Sequence, residues 1–86
     1  MTNEQRVAVI TGSSRGIGRG IAEQLGKDGY ALVVNGINQA RCQQAADELA
    51  AQGFPVAAAS GDVAQKATHE LLVQTAVDQF GRLDTY

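Results

Sequence analysis

The sequence contains little that would allow disulfide bonding, membrane insertion or binding to nucleic acid. A single cysteine, Cys42, cannot form an internal disulfide, which agrees with a reducing compartment such as the cytoplasm. No apolar run approaches the roughly 20 residues that a membrane-spanning helix needs, and residues 1–6 lack the apolar core of a signal peptide. The formal net charge is −2 with no basic cluster, which argues against nucleic acid. We therefore expect a cytoplasmic protein without membrane or nucleic-acid partners.

Aromatic residues are scarce, and tryptophan is absent. The core must therefore be built from Val, Ile, Leu and Ala, which is typical of parallel strands buried between helices. The lone histidine, His69, has no second His or Cys at metal-ligand spacing, so we predict no metal site. We expect His69 to be exposed and not catalytic, and Cys42 to be a buried thiol.

Short β-branched runs alternate with segments of helical periodicity along the 86 residues. The predicted strands are residues 7–11, 31–35 and 56–60, and a fourth strand opens at residues 83–86. Helices are predicted between them, with Asn38 as the N-cap of the second and Gly29, Gly53 and Gly81 as stop signals. Strands separated by helices of this length imply right-handed crossovers and a parallel sheet. Residues 1–86 thus predict an α/β fold, the first half (β-α-β-α-β-α-β) of one doubly wound parallel sheet, with no second domain.

The helical periodicity also predicts which side chains face the sheet. The expected buried sets are Cys42, Ala45, Ala46, Leu49 and Ala50 in helix two, and Val73, Ala76, Val77 and Phe80 in helix three. In helix one the apolar residues at helical spacing are Ile17, Ile21, Ala22 and Leu25.

A glycine-rich turn, Thr11 to Gly18, follows the first strand and opens the first helix. Backbone N–H groups and the helix dipole favour an anion at such a helix start. Gly12 permits a sharp exit from the strand, and Gly16 and Gly18 permit close approach of a phosphate and close helix packing. The alternative is a tight turn without a ligand. A nucleoside-triphosphate loop is excluded, because Arg and Gly follow Gly18 where Lys and Ser or Thr are required.

Three landmarks in register resemble the short-chain dehydrogenase/reductase family. They are the Gly-x-x-x-Gly-x-Gly turn, the pair Asp62-Val63 after the third strand, and Phe-Gly-Arg-Leu-Asp at residues 80–84. The resemblance is strongest to 3-oxoacyl-carrier-protein reductases and small-ketone reductases. It implies a nicotinamide dinucleotide cofactor, a small carbonyl or 3-oxoacyl substrate, and a homo-oligomer (dimer or tetramer) at full length. The cofactor-binding residues predicted from the turn and the resemblance are Gly12, Ser14, Arg15, Gly16, Ile17, Gly18, Asn35, Asp62 and Val63.

The residues after the second strand favour NADP over NAD. An NAD site usually carries Asp or Glu there to bind the ribose 2′-OH, but residues 34–38 read Val-Asn-Gly-Ile-Asn. Arg15 can supply a cation for the 2′-phosphate, with Arg41 as a second candidate. Alternatives stay open: Arg15 can be a solvated loop residue, Asn35 can merely end the strand, and Asp62 can close a turn.

No catalytic residue is predicted within the sequence. In the family that it resembles, an Asn-Asn-Ala-Gly segment, a serine and a Tyr-x-x-x-Lys pair follow the fourth strand, and they carry the proton-transfer chemistry. None of these motifs occurs here, and Tyr86 is expected to be a core aromatic. We therefore expect the parent protein to be an NADP(H)-dependent oxidoreductase and this segment alone to be inactive. The alternative is a non-catalytic dinucleotide-binding or truncated module.

Overall fold

The computed structural model describes residues 5–86, so the N-terminal residues 1–4 considered above for a signal peptide lie outside the described residues. The elements are β1 (Val7–Ile10), α1 (Gly16–Lys27), β2 (Ala31–Val34), α2 (Gln39–Ala51), β3 (Val56–Ala58) and α3 (Lys66–Phe80). The predicted alternation of strands and helices is confirmed, although each strand ends one or two residues early.

The three strands form a parallel sheet in the order β1-β2-β3. Val7 pairs with Ala31 across β1 and β2, and Leu32 pairs with Val56 across β2 and β3. The predicted fourth strand is reduced to one parallel bridge between Ala8 and Thr85, within the residues described. This bridge places Thr85 on the outer edge of β1, where the Val9 N–H donates to the Thr85 carbonyl at 2.8 Å. The direction of the strand order therefore reverses next to β1, the position where doubly wound folds bind ligands.

Side chains alternate between the two faces of the sheet, and each face is covered by different helices. On one face, Leu72 and Ala76 of α3 form an apolar cluster with Val7, Val9, Ala31, Val33 and Ala59. On the other face, Ala22 of α1 and three residues of α2 form a second apolar cluster with Leu32 and Val34 of the sheet. The three residues of α2 are Cys42, Ala46 and Leu49. The sheet is thus a buried middle layer, as the apolar strands predicted.

The buried face predicted for α3 was half right. Ala76 is buried and Phe80 packs against the core, as predicted, but Val73 and Val77 are 39% and 46% exposed. The buried residues of this helix are Thr68, Leu72 and Ala76. The sequence places Leu, Leu and Val consecutively at residues 71–73, so apolar residues occur on two sides of the helix and periodicity does not choose between them. Packing chooses Leu72, which is fully buried.

Ala50 and Tyr86 were also predicted to be buried, and both are exposed. Four of the five residues predicted on the buried face of α2 are buried, but Ala50 is exposed. In α1, Ala22 is buried, whereas Ile17 and Ile21 are 85% and 49% exposed. Ile21 lines a cavity together with Ile10 of β1 and Thr85. Tyr86 is 50% exposed and is not a core aromatic.

Asp84 fastens the last segment of the chain to β1. Its Oδ2 accepts the Val7 N–H at 2.9 Å, and the Arg82 guanidinium donates to both carboxylate oxygens at 2.8 and 2.6 Å. The hydrogen bond from Arg82, followed by that from the Val7 N–H, lowers the pKa of the Asp84 carboxyl. The stabilisation that it supplies is therefore present above the ordinary Asp pKa and is lost as pH falls through the lowered value.

We expect an NMR titration to place the pKa of Asp84 below its ordinary value, because both partners favour the ionised form. The Asp84→Asn variant carries an amide, which does not ionise. We therefore expect its free energy of unfolding to fall less between neutral and acid pH than that of the wild type. Unfolding free energies measured across the acid range would check the second effect. Identical acid dependence in the variant and the wild type would contradict this role of Asp84.

Candidate functional site

The turn between β1 and α1 has the backbone conformation that its glycines predicted. Gly12 and Gly16 adopt left-handed backbone angles, with φ of 61° and 67°, which residues with a Cβ rarely adopt. A Cβ added at either position would meet nothing within 4 Å. These two glycines are therefore required by conformation, and the space beside their backbone is open to a ligand.

Gly18 has the opposite role, because the space beside it is filled. A Cβ there would lie 2.9 Å from the Gly12 carbonyl carbon, closer still to its oxygen, and 3.1 Å from the Ser13 Cα. All three atoms belong to the backbone. Gly18 thus allows the first turn of α1 to pack directly against the glycine turn.

The start of α1 presents backbone N–H groups without a side-chain partner. Arg15 is the N-cap residue with extended backbone angles, its side chain makes no capping hydrogen bond, and the first turn of the helix contains no acidic residue. The first N–H groups of a helix have no partner within the helix, and the helix dipole makes this end positive. An anionic group such as a pyrophosphate fits here.

A cavity of about 280 Å³ opens between the glycine turn and the connection from β2 to α2. It is lined by Gly12, Ser14, Arg15, Gly36, Ile37, Asn38 and Arg41. Two arginines thus belong to its walls, and within the described part of the chain no carboxylate does. The positive walls are suited to a phosphate group, which arginine binds through paired hydrogen bonds.

Asn38 and Gly36, in the connection from β2 to α2, shape the part of the cavity that this connection lines. The Asn38 Oδ1 accepts the Arg41 N–H at 2.9 Å, which confirms Asn38 as the N-cap of α2 and fixes the helical turn that carries Arg41. Gly36 allows Ser14 to lie close, because a Cβ at Gly36 would be 2.6 Å from the Ser14 Oγ. Sequence reasoning missed Gly36 and Ile37 as cavity residues; the small residue after the β2 strand was the available signal.

Arg19, the other arginine near the turn, is directed elsewhere. Its Nη1 forms an ion pair with Glu48 on α2 at 2.6 Å, which joins the two helices. Arg15 and Arg41 are therefore the cations that the structure places at the cavity.

Ser13 and Asn35 lie beneath the turn and bond to each other. The Ser13 hydroxyl is fully buried, donates to the Ile10 carbonyl at 2.6 Å and accepts the Asn35 N–H at 2.9 Å. This hydroxyl is therefore engaged inside the fold. Asn35 is also buried, and its side chain bonds to the backbone of neighbouring segments. This geometry favours the alternative that Asn35 ends the strand, while direct contact with a cofactor stays an untested prediction.

The remaining predicted residues stand around the turn and outside the cavity lining. Ile17 is exposed at the start of α1, and Val63 is 41% exposed after β3. Asp62 Oδ1 accepts the Ala64 N–H at 2.9 Å, so Asp62 does close a turn, as one alternative held. Its carboxylate is nevertheless exposed. Contacts of these three residues with a cofactor stay predictions.

The other reactive side chains take no part in this site. Burial raises the pKa of the Cys42 thiol, so this cysteine stays protonated and unreactive near neutral pH. The exposed His69 ring stacks on Tyr86, and its Nε2 lies 2.6 Å from the Val63 carbonyl oxygen. A larger, more open depression lies along α3, but only residues of that helix line it.

Residues 5–86 offer neither a metal-binding cluster nor a membrane-spanning helix. They contain no group of three or more His, Cys, Asp or Glu side chains that could hold a metal ion. No helix among them has the length and apolar character to cross a membrane.

Solved structures share this fold. L-sorbose reductase from Gluconobacter frateurii, complexed with NADPH and L-sorbose, superposes with a TM-score of 0.88 at 36% identity, over 98% of this chain and 32% of that one. An alcohol dehydrogenase from the archaeon Thermococcus sibiricus, complexed with 5-hydroxy-NADP, gives a TM-score of 0.84 at 40% identity, over 94% of this chain and 35% of that one. The predicted half of a doubly wound sheet is therefore confirmed.

Sequence relatives agree with the structural ones. A diacetyl reductase [(S)-acetoin forming] from Staphylococcus epidermidis is 43% identical over 79 residues, 92% of this chain and 31% of that protein. A granaticin polyketide synthase putative ketoacyl reductase from Streptomyces violaceoruber is 41% identical over 81 residues, 94% of this chain and 31% of that protein. The chain thus spans about a third of the length of these relatives. The family described as short chain dehydrogenase matches residues 6–85, and the chain belongs to that family.

Proposed function

We propose that this chain forms the cofactor-binding part of an oxidoreductase that transfers hydride between NADPH and a ketone or secondary alcohol. One observation carries the proposal. The N-terminus of α1, without a side-chain cap, adjoins the open glycine turn and a cavity whose walls include Arg15 and Arg41. This combination suits a pyrophosphate next to a second, separate phosphate group.

Each part of the site has a distinct role in this proposal. Gly12 and Gly16 leave the backbone open to the pyrophosphate, and Gly18 holds the helix start against the turn. The pyrophosphate oxygens accept hydrogen bonds from the first N–H groups of α1, around Ile17. Ser14 adds a polar wall to the cavity. Asp62 and Val63 contact the adenine, a role that rests on the resemblance to the family.

The choice of NADPH over NADH rests on charge. A carboxylate after β2 would repel a 2′-phosphate, and residues 35–38, which follow β2 in this chain, contain none. Arg15 and Arg41 both line the cavity, where each guanidinium can donate hydrogen bonds to phosphate oxygens. The NADPH and 5-hydroxy-NADP bound by two solved relatives support the same choice.

The substrate class is proposed from the relatives and not from this chain. A diacetyl reductase and a putative ketoacyl reductase are both about two-fifths identical to it, which supports a small ketone or a 3-oxoacyl group. The cofactor supplies the hydride. The groups that exchange a proton with the substrate oxygen lie beyond Tyr86 in this proposal, so residues 1–86 alone are inactive. A homo-oligomeric state and a cytoplasmic location stay predictions.

The test is turnover by the full-length protein. Oxidation of the reduced nicotinamide is followed by its absorbance, with diacetyl, a simple ketone and a 3-oxoacyl thioester as substrates. We expect at least one of these to be reduced, with kcat/KM for NADPH roughly tenfold or more above that for NADH, the effect of about 1.4 kcal/mol. Tight NADPH binding without turnover on any carbonyl would instead favour the non-catalytic dinucleotide-binding module.

A further inference from the structure

Asn35 is the first residue after β2, in the stretch where many dinucleotide-binding folds place a carboxylate that binds the ribose. In this chain the residue is only 2% exposed. The cavity lining, as far as residues 5–86 define it, includes its neighbour Gly36 and not Asn35. A residue that faced the 2′ position of a bound dinucleotide would have to reach that cavity.

The Asn35 side chain instead joins two turns of the fold. Its Oδ1 accepts the Gly12 N–H at 3.2 Å, in the glycine turn after β1. Its Nδ2 donates to the Ala59 carbonyl at 3.0 Å and to the Gly61 carbonyl at 3.2 Å, in the connection after β3. Both amide N–H groups and one acceptor position are thus engaged. The same amide bridges the ends of all three strands.

The backbone of Asn35 strengthens this bridge. Its N–H donates to the Ser13 hydroxyl at 2.9 Å, and its carbonyl accepts the Ser13 N–H at 2.7 Å. Gly12 and Ser13 are therefore both fixed to the end of β2. On the other side, Gly61 directly precedes Asp62 and Val63, which are proposed to contact the adenine.

We infer that Asn35 is a positioning residue for the dinucleotide: its buried amide holds the glycine turn and the turn after β3 in register, and it does not touch the cofactor. The inference rests on the proposed function. It predicts that Asn35 sets the affinity for both nicotinamide dinucleotides equally, while the choice between them is made in the cavity, by Arg15 and Arg41.

Asn35→Asp is the most informative variant because the side chain keeps its shape while the N–H donors of the amide are replaced by a carboxylate oxygen. A carboxylate keeps the acceptor for the Gly12 N–H but has no donor for the Ala59 and Gly61 carbonyls. Its second oxygen would face two carbonyl oxygens, so the turn after β3 must move. A carboxylate that faced the 2′ position would act differently, since it would repel the phosphate of NADPH and bind the free 2′-OH of NADH.

The experiment measures the Kd of NADPH and of NADH for the full-length wild-type protein and for Asn35→Asp. We expect both dinucleotides to weaken by about tenfold or more, since two buried carbonyls lose their donors. The ratio of the two Kd values should stay within about twofold of the wild-type ratio. A selective loss of NADPH, or a gain in NADH affinity, would overturn the inference and leave the proposed function intact. Wild-type protein that binds neither dinucleotide would overturn both.

Leu49→Ala is the matched control for a merely structural effect. Leu49 is fully buried between α2 and the sheet, in the apolar cluster of α1 and α2, so its truncation lowers stability without reaching either turn. We expect its Kd values to match those of the wild type at a temperature where both proteins are folded. An equal weakening of binding in Leu49→Ala would overturn the positioning role.

A measurement on the wild type covers the case in which Asn35→Asp does not fold. The side-chain amide resonances of Asn35 are compared between the NADP⁺ and NAD⁺ complexes, which differ only in the 2′-phosphate. We expect the same chemical shifts in both complexes and slow exchange of the amide protons with solvent. A clear shift difference between the complexes would place Asn35 at the 2′ position and overturn the inference.

Discussion

Replacing Gly18 by alanine is expected to destabilise the protein strongly and to abolish tight dinucleotide binding. The added Cβ would lie 2.9 Å from the Gly12 carbonyl carbon and 3.1 Å from the Ser13 Cα, and both atoms belong to the backbone. No flexible side chain can move aside, so α1 or the glycine turn must shift. Overpacking of this kind costs about 1–3 kcal/mol and occasionally more. Urea unfolding and NADPH titration would measure the two effects.

Gly20→Ala is the control, because it adds the same methyl group to the same helix. A Cβ at Gly20 would meet nothing within 4 Å. Alanine is also the better helix former, so this variant should be neutral or more stable by up to about 1 kcal/mol. Its affinity for NADPH should not change. Equal destabilisation by the two variants would contradict the close packing of α1 on the turn.

Replacing Arg15 by alanine is expected to weaken NADPH binding roughly 10- to 150-fold and NADH binding less than about threefold. A hydrogen bond to a charged group contributes roughly 1.5–3 kcal/mol, and about 1.4 kcal/mol corresponds to a tenfold change in Kd. Arg15 lines the cavity together with Arg41, and the 2′-phosphate would be bound there. The Kd values of both dinucleotides, measured at one salt concentration, would check the selectivity.

Lys27→Ala controls for the general loss of a positive charge. Lys27 lies exposed in the last turn of α1, at the end of the helix away from the glycine turn. At physiological salt, exposed charges separated by more than about 8 Å are largely screened. We therefore expect both Kd values to stay within about twofold of the wild type. Loss of NADPH and NADH affinity to the same extent in Arg15→Ala would contradict a 2′-phosphate contact.

The order of elements and the glycine turn could be predicted because each rests on local sequence. Apolar strands such as Ala31–Val34 are buried on both faces, so their composition alone identifies them. The Asn38 cap was predictable for the same reason, since its partner Arg41 lies three residues away. The open turn at Gly12 and Gly16 follows from glycine's freedom to adopt positive φ.

Features that depend on distant contacts could not be predicted in this way. Val73 and Val77 of α3 were wrongly predicted to be buried, because residues 71–73 are all apolar and only packing against the sheet selects Leu72. The roles of Ser13 and Asn35 depend on hydrogen bonds between residues more than 20 positions apart. The sequence shows two polar residues near a ligand-binding turn, and it does not show that both are turned inward.

Calorimetric titration of the full-length protein with NADPH and NADH measures whether the chain carries an NADPH site. We expect one saturable site for NADPH, with a Kd about tenfold or more below that for NADH. We also expect NADPH binding to disappear in Gly18→Ala and to persist in Gly20→Ala. Absence of saturable binding for both dinucleotides, or equal affinity for the two together with an unaffected Gly18→Ala variant, would contradict an NADPH site in this chain.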